Sequence, residues 1–286
     1  MKIMLLNDKN THTNPAVVDS LDQKRGKIIS NTGGWFPGVG VFSHGYSLLE
    51  ELVGEKTYFQ LLILNATGRL VDKPLADWVE AIYGCLSWPD PRIWCNQIGA
   101  LAGTVRTSVV AATTMGSLAA DSRSYGPYTL LDGVGFIQHA FQQHKTGMSA
   151  ENIVEEITNA NRGKPYIVGY IRPIAKGDER LETMERVSRK LGFTEGEHLL
   201  LAYEIEKVLM RKFDEGMNIN GYMSAFLSDQ GFSAQEVYRM FAAMVASGVT
   251  ACYLDTYKRP PNTFLPLRCE DIDYQGAPRR AVPDNI

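Results

Sequence analysis

Between Ile98 and Ala120 the chain carries one charged residue, Arg106, and is otherwise dominated by Gly, Ala, Ser and Thr. So little charge over so many residues does not suit a water-facing helix, and the segment reads as a helix that is mostly buried. Small side chains let neighbouring backbones approach closely, so a tight helix–helix contact or a subunit interface is expected. Arg106, alone in such a segment, must find a partner, and a second subunit could supply one.

The flanking segments also read as helices. Thr57 opens one, with Phe59, Leu62, Ile63 and Ala66 on one face and Gly68 as its stop. Asp72 caps the next, with Pro74 near its first turn and Leu75, Trp78, Val79 and Ile82 as its apolar stripe. The run Ser124–Pro127 breaks the small-residue helix. Ser149 starts a helix reaching about Asn159, Leu181–Leu191 forms another ending near Gly192, and Leu199–Leu209 a longer one. Ser47 with Glu50, and Ser233 with Glu236, have capping-box spacing. Residues 1–40 read as irregular, including the glycine- and proline-rich run NTGGWFPGVG from Asn31 to Gly40. Strand-like runs are confined to residues 2–6 and Tyr166–Ile171, so the expected fold is all-α.

Composition removes several functions. The 286 residues carry 29 Lys and Arg against 32 acidic residues, a net charge of −3 that gives no overall attraction to nucleic acid or anionic membranes. Cys85, Cys95, Cys252 and Cys269 form no CxxC pair, so no metal or dithiol signature is present, and their wide spacing reads as reduced and cytoplasmic. The first ten residues hold too short an apolar run for a signal peptide, and no run approaches the roughly 20 residues of a membrane span.

Seven segments, in order, resemble the citrate synthase superfamily, which includes citryl-CoA lyase and part of ATP-citrate lyase. HGYSLLEEL from His44 is similar to the family's "RGY…EL", and YFQLLILNATGR from Tyr58 to its "LLLYGELP" helix end. The small-residue helix leads, as in the family, to a "GPLHGG" turn, here Gly126-Pro-Tyr-Thr129. GYIRPIAKGDER from Gly169 resembles "GFGHRVYKNYDPR", LAYEIE from Leu201 "A.EIE", NING from Asn218 "NVDF", and VTACYLDT from Val249 "GFIGHYLDQ". The likeness covers residues 44–256, and order and spacing carry it more than any single motif.

The resemblance implies a homodimer with a large helical domain, 1–132 and 226–286, and a smaller lid, 133–225, that closes over a coenzyme A thioester. The implied chemistry makes or breaks a carbon–carbon bond beside the thioester carbonyl. In the family a carboxylate takes the α-proton, one histidine stabilises the enolate and another polarises the acceptor ketone.

All three positions differ here. Thr129 stands for the first histidine; it can donate one hydrogen bond but cannot be cationic. Arg172 stands for the second; it can clamp a carboxylate but not hand over a proton. Asn220 stands for the base, and an amide accepts no proton at neutral pH. Cys252 replaces the histidine of "GFIGH". Lys176 and Arg180, with Arg172, place three cations in nine residues, suited to coenzyme A phosphates or substrate carboxylates, or to pairing with Asp178 and Glu179. Asn96 and Gln97 fall where the family contacts substrate, but capping of the buried helix is the favoured reading for both, while Asn218 and Asn220 read equally as substrate contacts or helix caps. Arg268 in the proline-rich tail could reach a neighbouring subunit's site. Asp132 and Asp178 are candidates for a relocated base, His44 reads as structural and His198 as surface. Two functions follow: a divergent lyase or synthase acting on an acyl-CoA or polycarboxylate, or a non-catalytic protein that keeps the fold and has shed the chemistry. Neither needs a metal.

Overall fold

A computed structural model describes residues 22, 25–26, 30–170, 177–264 and 268–282. Residues 2–6, Arg172 and Lys176 fall outside them. The chain divides into two compact units, Met1–Val53 and Gly54–Ile286.

In the first unit, the run expected to be irregular forms an antiparallel meander of β1 (Gly33–Phe36), β2 (Gly40–Ser43) and β3 (Tyr46–Ser47). Of the glycines read as loop signals, Gly38 is in the turn of a hairpin, and Gly33, Gly34 and Gly40 lie in its strands. Gly38 takes φ +73° after Pro37, and the Val39 amide closes onto the Phe36 carbonyl at 3.0 Å. His44 and Gly45, at φ +51° and +89°, form the two-residue turn that the twist of the flanking strands favours. The helix start at Ser47 is a single π-helical turn, Leu48–Leu52. Glu51, not Glu50, reaches back to the Ser47 amide, at 2.6 Å.

The second unit is helical. Its elements are α1 (Tyr58–Thr67), α2 (Lys73–Leu86), α3 (Trp94–Thr104), α4 (Val109–Ala120), α5 (Pro127–Lys145), α6 (Ala150–Ala160), α7 (Arg180–Lys190), α8 (Glu197–Phe213), α9 (Ile219–Asp229), α10 (Ala234–Met240) and α11 (Ala246–Tyr257). The sequence caps hold: Thr57 with Gln60, Asp72, Ser149, and Ser233 with Glu236 each satisfy free amides at a helix start. Trp78 on α2, fully buried, stacks on Phe226 of α9 at 3.9 Å and donates its indole N–H to Ser188 of α7 at 2.8 Å. That knot ties three helices into one core.

The small-residue segment is two helices rather than one. Arg106 turns into the left-handed region at φ +63°, and Ser108 caps the restart by accepting the Ala111 amide. Arg106 finds its partners within its own chain. Its guanidinium donates to the carbonyls of Gly103, Thr256 and Arg259 and lies over the Tyr257 ring. A cation thus closes the carboxyl end of α11, where helix carbonyls are unsatisfied. The close approach is real: a Cβ at Gly99 would lie 2.6 Å from the Val249 carbonyl oxygen, and one at Gly103 would run into Tyr253 and Thr256.

Two further readings change. Of the expected strand Tyr166–Ile171, Tyr166 and Ile167 are irregular and Val168–Tyr170 is turn, with Gly169 at φ +96°; Ile171 lies outside the described residues. His198 is not a surface residue. Its ring and backbone amide both bind the Asp229 carboxylate at 2.9 Å, so the last residue of α9 caps the start of α8.

Candidate functional site

The amino ends of α5, α7 and α9 converge. α5 begins at Gly126, φ +79°, where any Cβ would strike the Ala120 carbonyl; Pro127 then supplies a first-turn residue that needs no amide partner. Thr129 follows in that turn, and its hydroxyl donates to the Gly126 carbonyl at 2.8 Å. At α9 the cap is Asn218, whose Oδ1 accepts the amides of Asn220 at 2.9 Å and Gly221 at 3.4 Å. Asn220 is therefore not the cap. Its side chain faces α5, and Nδ2 donates to Thr129 Oγ1 at 2.9 Å.

Asp178, just before α7, accepts Arg180 Nε at 2.7 Å and Nη2 at 2.6 Å, and also the Ile219 amide at the start of α9, at 2.9 Å. Burial works to raise this carboxyl, but Arg180 and the two backbone amides outweigh it and hold Asp178 below the usual carboxylate range. Gly169 closes the other side. Its carbonyl accepts the Asn218 amide at 2.8 Å, and a Cβ there would lie 2.7 Å from Gly221 Cα. Both flanks of the segment that carries Arg172 and Lys176 thus touch the start of α9. Burial pushes the Tyr125 phenol up to about 12, with Cys95 adding to the rise and nearby Arg180 opposing it. Burial likewise raises the Cys85 thiol, again against Arg180.

Of the sequence candidates, Thr129, Asn218, Asn220, Asp178 and Arg180 come together. Others are used elsewhere. Asn96, buried on α3, donates to the carbonyls of Trp88 at 3.0 Å and Asp90 at 2.9 Å and so holds the approach to its helix. Gln97 donates to the Arg92 carbonyl at 3.2 Å. Asp132 is exposed on α5. Arg268 lies in the exposed tail, its amide on the Asp271 carboxylate at 2.8 Å. The sequence reading missed Ser224 and Gly133, each four residues beyond a candidate, Asn220 and Thr129, on the same helix face; helical spacing could have found them. Among the described residues no cluster of His, Cys, Asp or Glu is arranged to hold a metal, and no helix is long and apolar enough to cross a membrane.

No family model and no curated protein matches this sequence. Solved structures do match, and they define the class: an all-α, citrate synthase-like fold. The chain is similar to citryl-CoA lyase from Hydrogenobacter thermophilus, with TM-score 0.75 and 23% identity over 90% of this chain and 98% of that one. It is similar to ATP citrate lyase from Methanothrix soehngenii in complex with citrate and coenzyme A, with TM-score 0.71 and 17% identity over 97% of this chain but 47% of that one. Citrate synthase from Thermoplasma acidophilum follows at TM-score 0.60 and 15% identity, over 80% and 59%. Likeness at these identities establishes the fold and leaves the reaction to be argued from the site.

Proposed function

We propose that this chain is a divergent citrate synthase-like or citryl-CoA lyase-like enzyme, cytoplasmic and homodimeric. In this reading it binds an acyl-CoA thioester with a small carboxylate and makes or cleaves the carbon–carbon bond beside the thioester carbonyl. The observation that carries the reading is the convergence of Thr129, Asn220 and Arg180 on the amino end of α9. These are an amide donor, the hydroxyl that orients it and a cation, gathered where a helix start favours negative charge. Asn220 would donate to a substrate oxygen, with Thr129 supporting it. Arg180, with Arg172 and Lys176, would hold carboxylates or the phosphates of coenzyme A. Asn218 would set the register of α9, and Asn96 and Gln97 would hold the neighbouring helix. The large domain, 1–132 and 226–286, and the lid, 133–225, belong to the same proposal, as does Arg268 reaching a neighbouring subunit's site.

The second reading, a non-catalytic binding or scaffold protein, is favoured by Asp178. That carboxylate is locked in place by Arg180 and Ile219 and held at low pKa, so it is a poor proton acceptor. Asp132 then remains the candidate base.

Thermal denaturation with acetyl-CoA, with citrate and with both tests the reading. Stabilisation that Arg172→Ala removes is the expected result. No stabilisation by any of these ligands overturns the reading. Cleavage of citryl-CoA, or condensation of acetyl-CoA with a 2-oxo acid, lost on changing Thr129, Arg172 or Asn220, identifies the enzyme; binding without turnover supports the second reading.

A further inference from the structure

Ser224 lies one helical turn after Asn220 on α9 and is 1% exposed, while Asn220 and Thr129 are half-buried. Its hydroxyl donates to Asn220 Oδ1 at 3.1 Å. From there Asn220 Nδ2 donates to Thr129 Oγ1, and Thr129 passes its one proton to the Gly126 carbonyl. The chain of hydrogen bonds has a direction, from buried Ser224 outward through Asn220 and Thr129 to Gly126. Turning the amide over would take the Thr129 proton away from the Gly126 carbonyl. Gly133 on α5 makes the arrangement possible, because a Cβ there would run into Asn220 Oδ1 and lie 2.5 Å from Ser224 Oγ. Thr129 has no proton left to give. Asn220 Nδ2 has a second hydrogen, with no partner among the described residues.

We infer that Ser224 and Gly133 are positioning residues that fix Asn220 as an outward hydrogen-bond donor, so that the substrate atom received there is an acceptor oxygen, the carbonyl oxygen at the reacting centre. The inference rests on the acyl-CoA and carboxylate reading above, and the thioester and the 2-oxo acid are the two sources of such an oxygen.

Two ligand pairs separate the sources: acetyl-CoA against S-ethyl-CoA, which lacks the thioester oxygen, and oxaloacetate against succinate, which lacks the ketone oxygen. Titration calorimetry on the full chain should show one pair favouring the carbonyl member about 5-fold, the worth of one neutral hydrogen bond. Asn220→Asp, which presents only acceptors, should abolish or invert that preference. Ser224→Ala frees the amide to turn and should bring the preference within about 2-fold. Affinity for the member that lacks this oxygen should stay the same, a split that a merely structural role of Ser224 would not produce. If the ligands bind and neither variant moves either ratio, this inference falls while the functional reading stands. If none of the four binds, both fall.

Discussion

Arg180 grips Asp178 with two parallel hydrogen bonds, at 2.7 and 2.6 Å, and the same carboxylate accepts the first amide of α9. One fully buried charge thus serves a guanidinium and a helix start at once. It fixes α7 against α9 and sets the frame in which Asn218 and Asn220 sit.

The lowered pKa of Asp178 makes this joint sensitive to acid. A carboxyl depressed in the folded state contributes stability that is present above its unfolded pKa and is lost as pH falls through the folded value. Asp178→Asn should cost about 3 kcal/mol near neutrality, the low end for breaking a buried pair because Arg180 keeps some contact with water. Urea denaturation at a series of pH values should show a constant gap between wild type and variant from pH 7 to about pH 4, narrowing below that. A gap that widened on acidification would mean the carboxylate is not the stabilising partner.

Glycines divide by what surrounds them. A Cβ at Gly103 would collide with Tyr253 and Thr256, and one at Gly116 would lie 2.5 Å from Val249, so either change to Ala should cost about 1–3 kcal/mol by overpacking. Gly84 on α2 and Gly135 on α5 are exposed, and a Cβ at either meets nothing within 4 Å. There the change to Ala should stabilise by about 0.5–1 kcal/mol, through helix propensity alone. Melting curves of the four variants should move in opposite directions; a common direction would place the helix contacts wrongly.

Much of this was legible beforehand because the signals are local. A hydroxyl or carboxylate three residues ahead of a free amide marks a helix start wherever the chain goes next, and so Thr57, Asp72, Ser149 and Ser233 read correctly. What stayed hidden depends on tertiary partners. Arg106 breaks the small-residue segment because the carbonyls at the end of α11 lie beside it, and those come from 150 residues further on. The Gly33–Ser43 hairpin was obscured because glycine in a strand looks like loop until its partner is known. At the site, order and spacing brought Thr129 and Asn220 forward, yet the direction of the hydrogen bonds between them depends on Ser224, which no motif marks.

Ser188 offers a third test. Its hydroxyl accepts the Trp78 indole N–H and shares a 2.8 Å hydrogen bond with the Tyr222 hydroxyl, all three side chains being buried. Ser188→Ala leaves a buried donor with no acceptor, which should cost about 1–3 kcal/mol. Near-ultraviolet dichroism should report the loosened Trp78 before global unfolding. An unchanged stability would show that water replaces the serine.

The outer face of α3 and α4 bears on assembly. Val110 and Leu118 are each 72% exposed, with Leu101, Val105, Val109 and Met115 also open to solvent, and the segment's one cation is turned inward onto its own carbonyls. A charge-free apolar surface of this kind suits the core of a two-fold interface, where the same patch meets itself. Sedimentation should therefore show a species of twice the 31.8 kDa chain mass at micromolar concentration. Leu118→Glu places two carboxylates in that interface and should shift the species to monomer while leaving the far-ultraviolet helical signal unchanged, since the side chain is exposed within one chain. A wild-type monomer at tens of micromolar, or a Leu118→Glu dimer as tight as wild type, would remove this face from the interface.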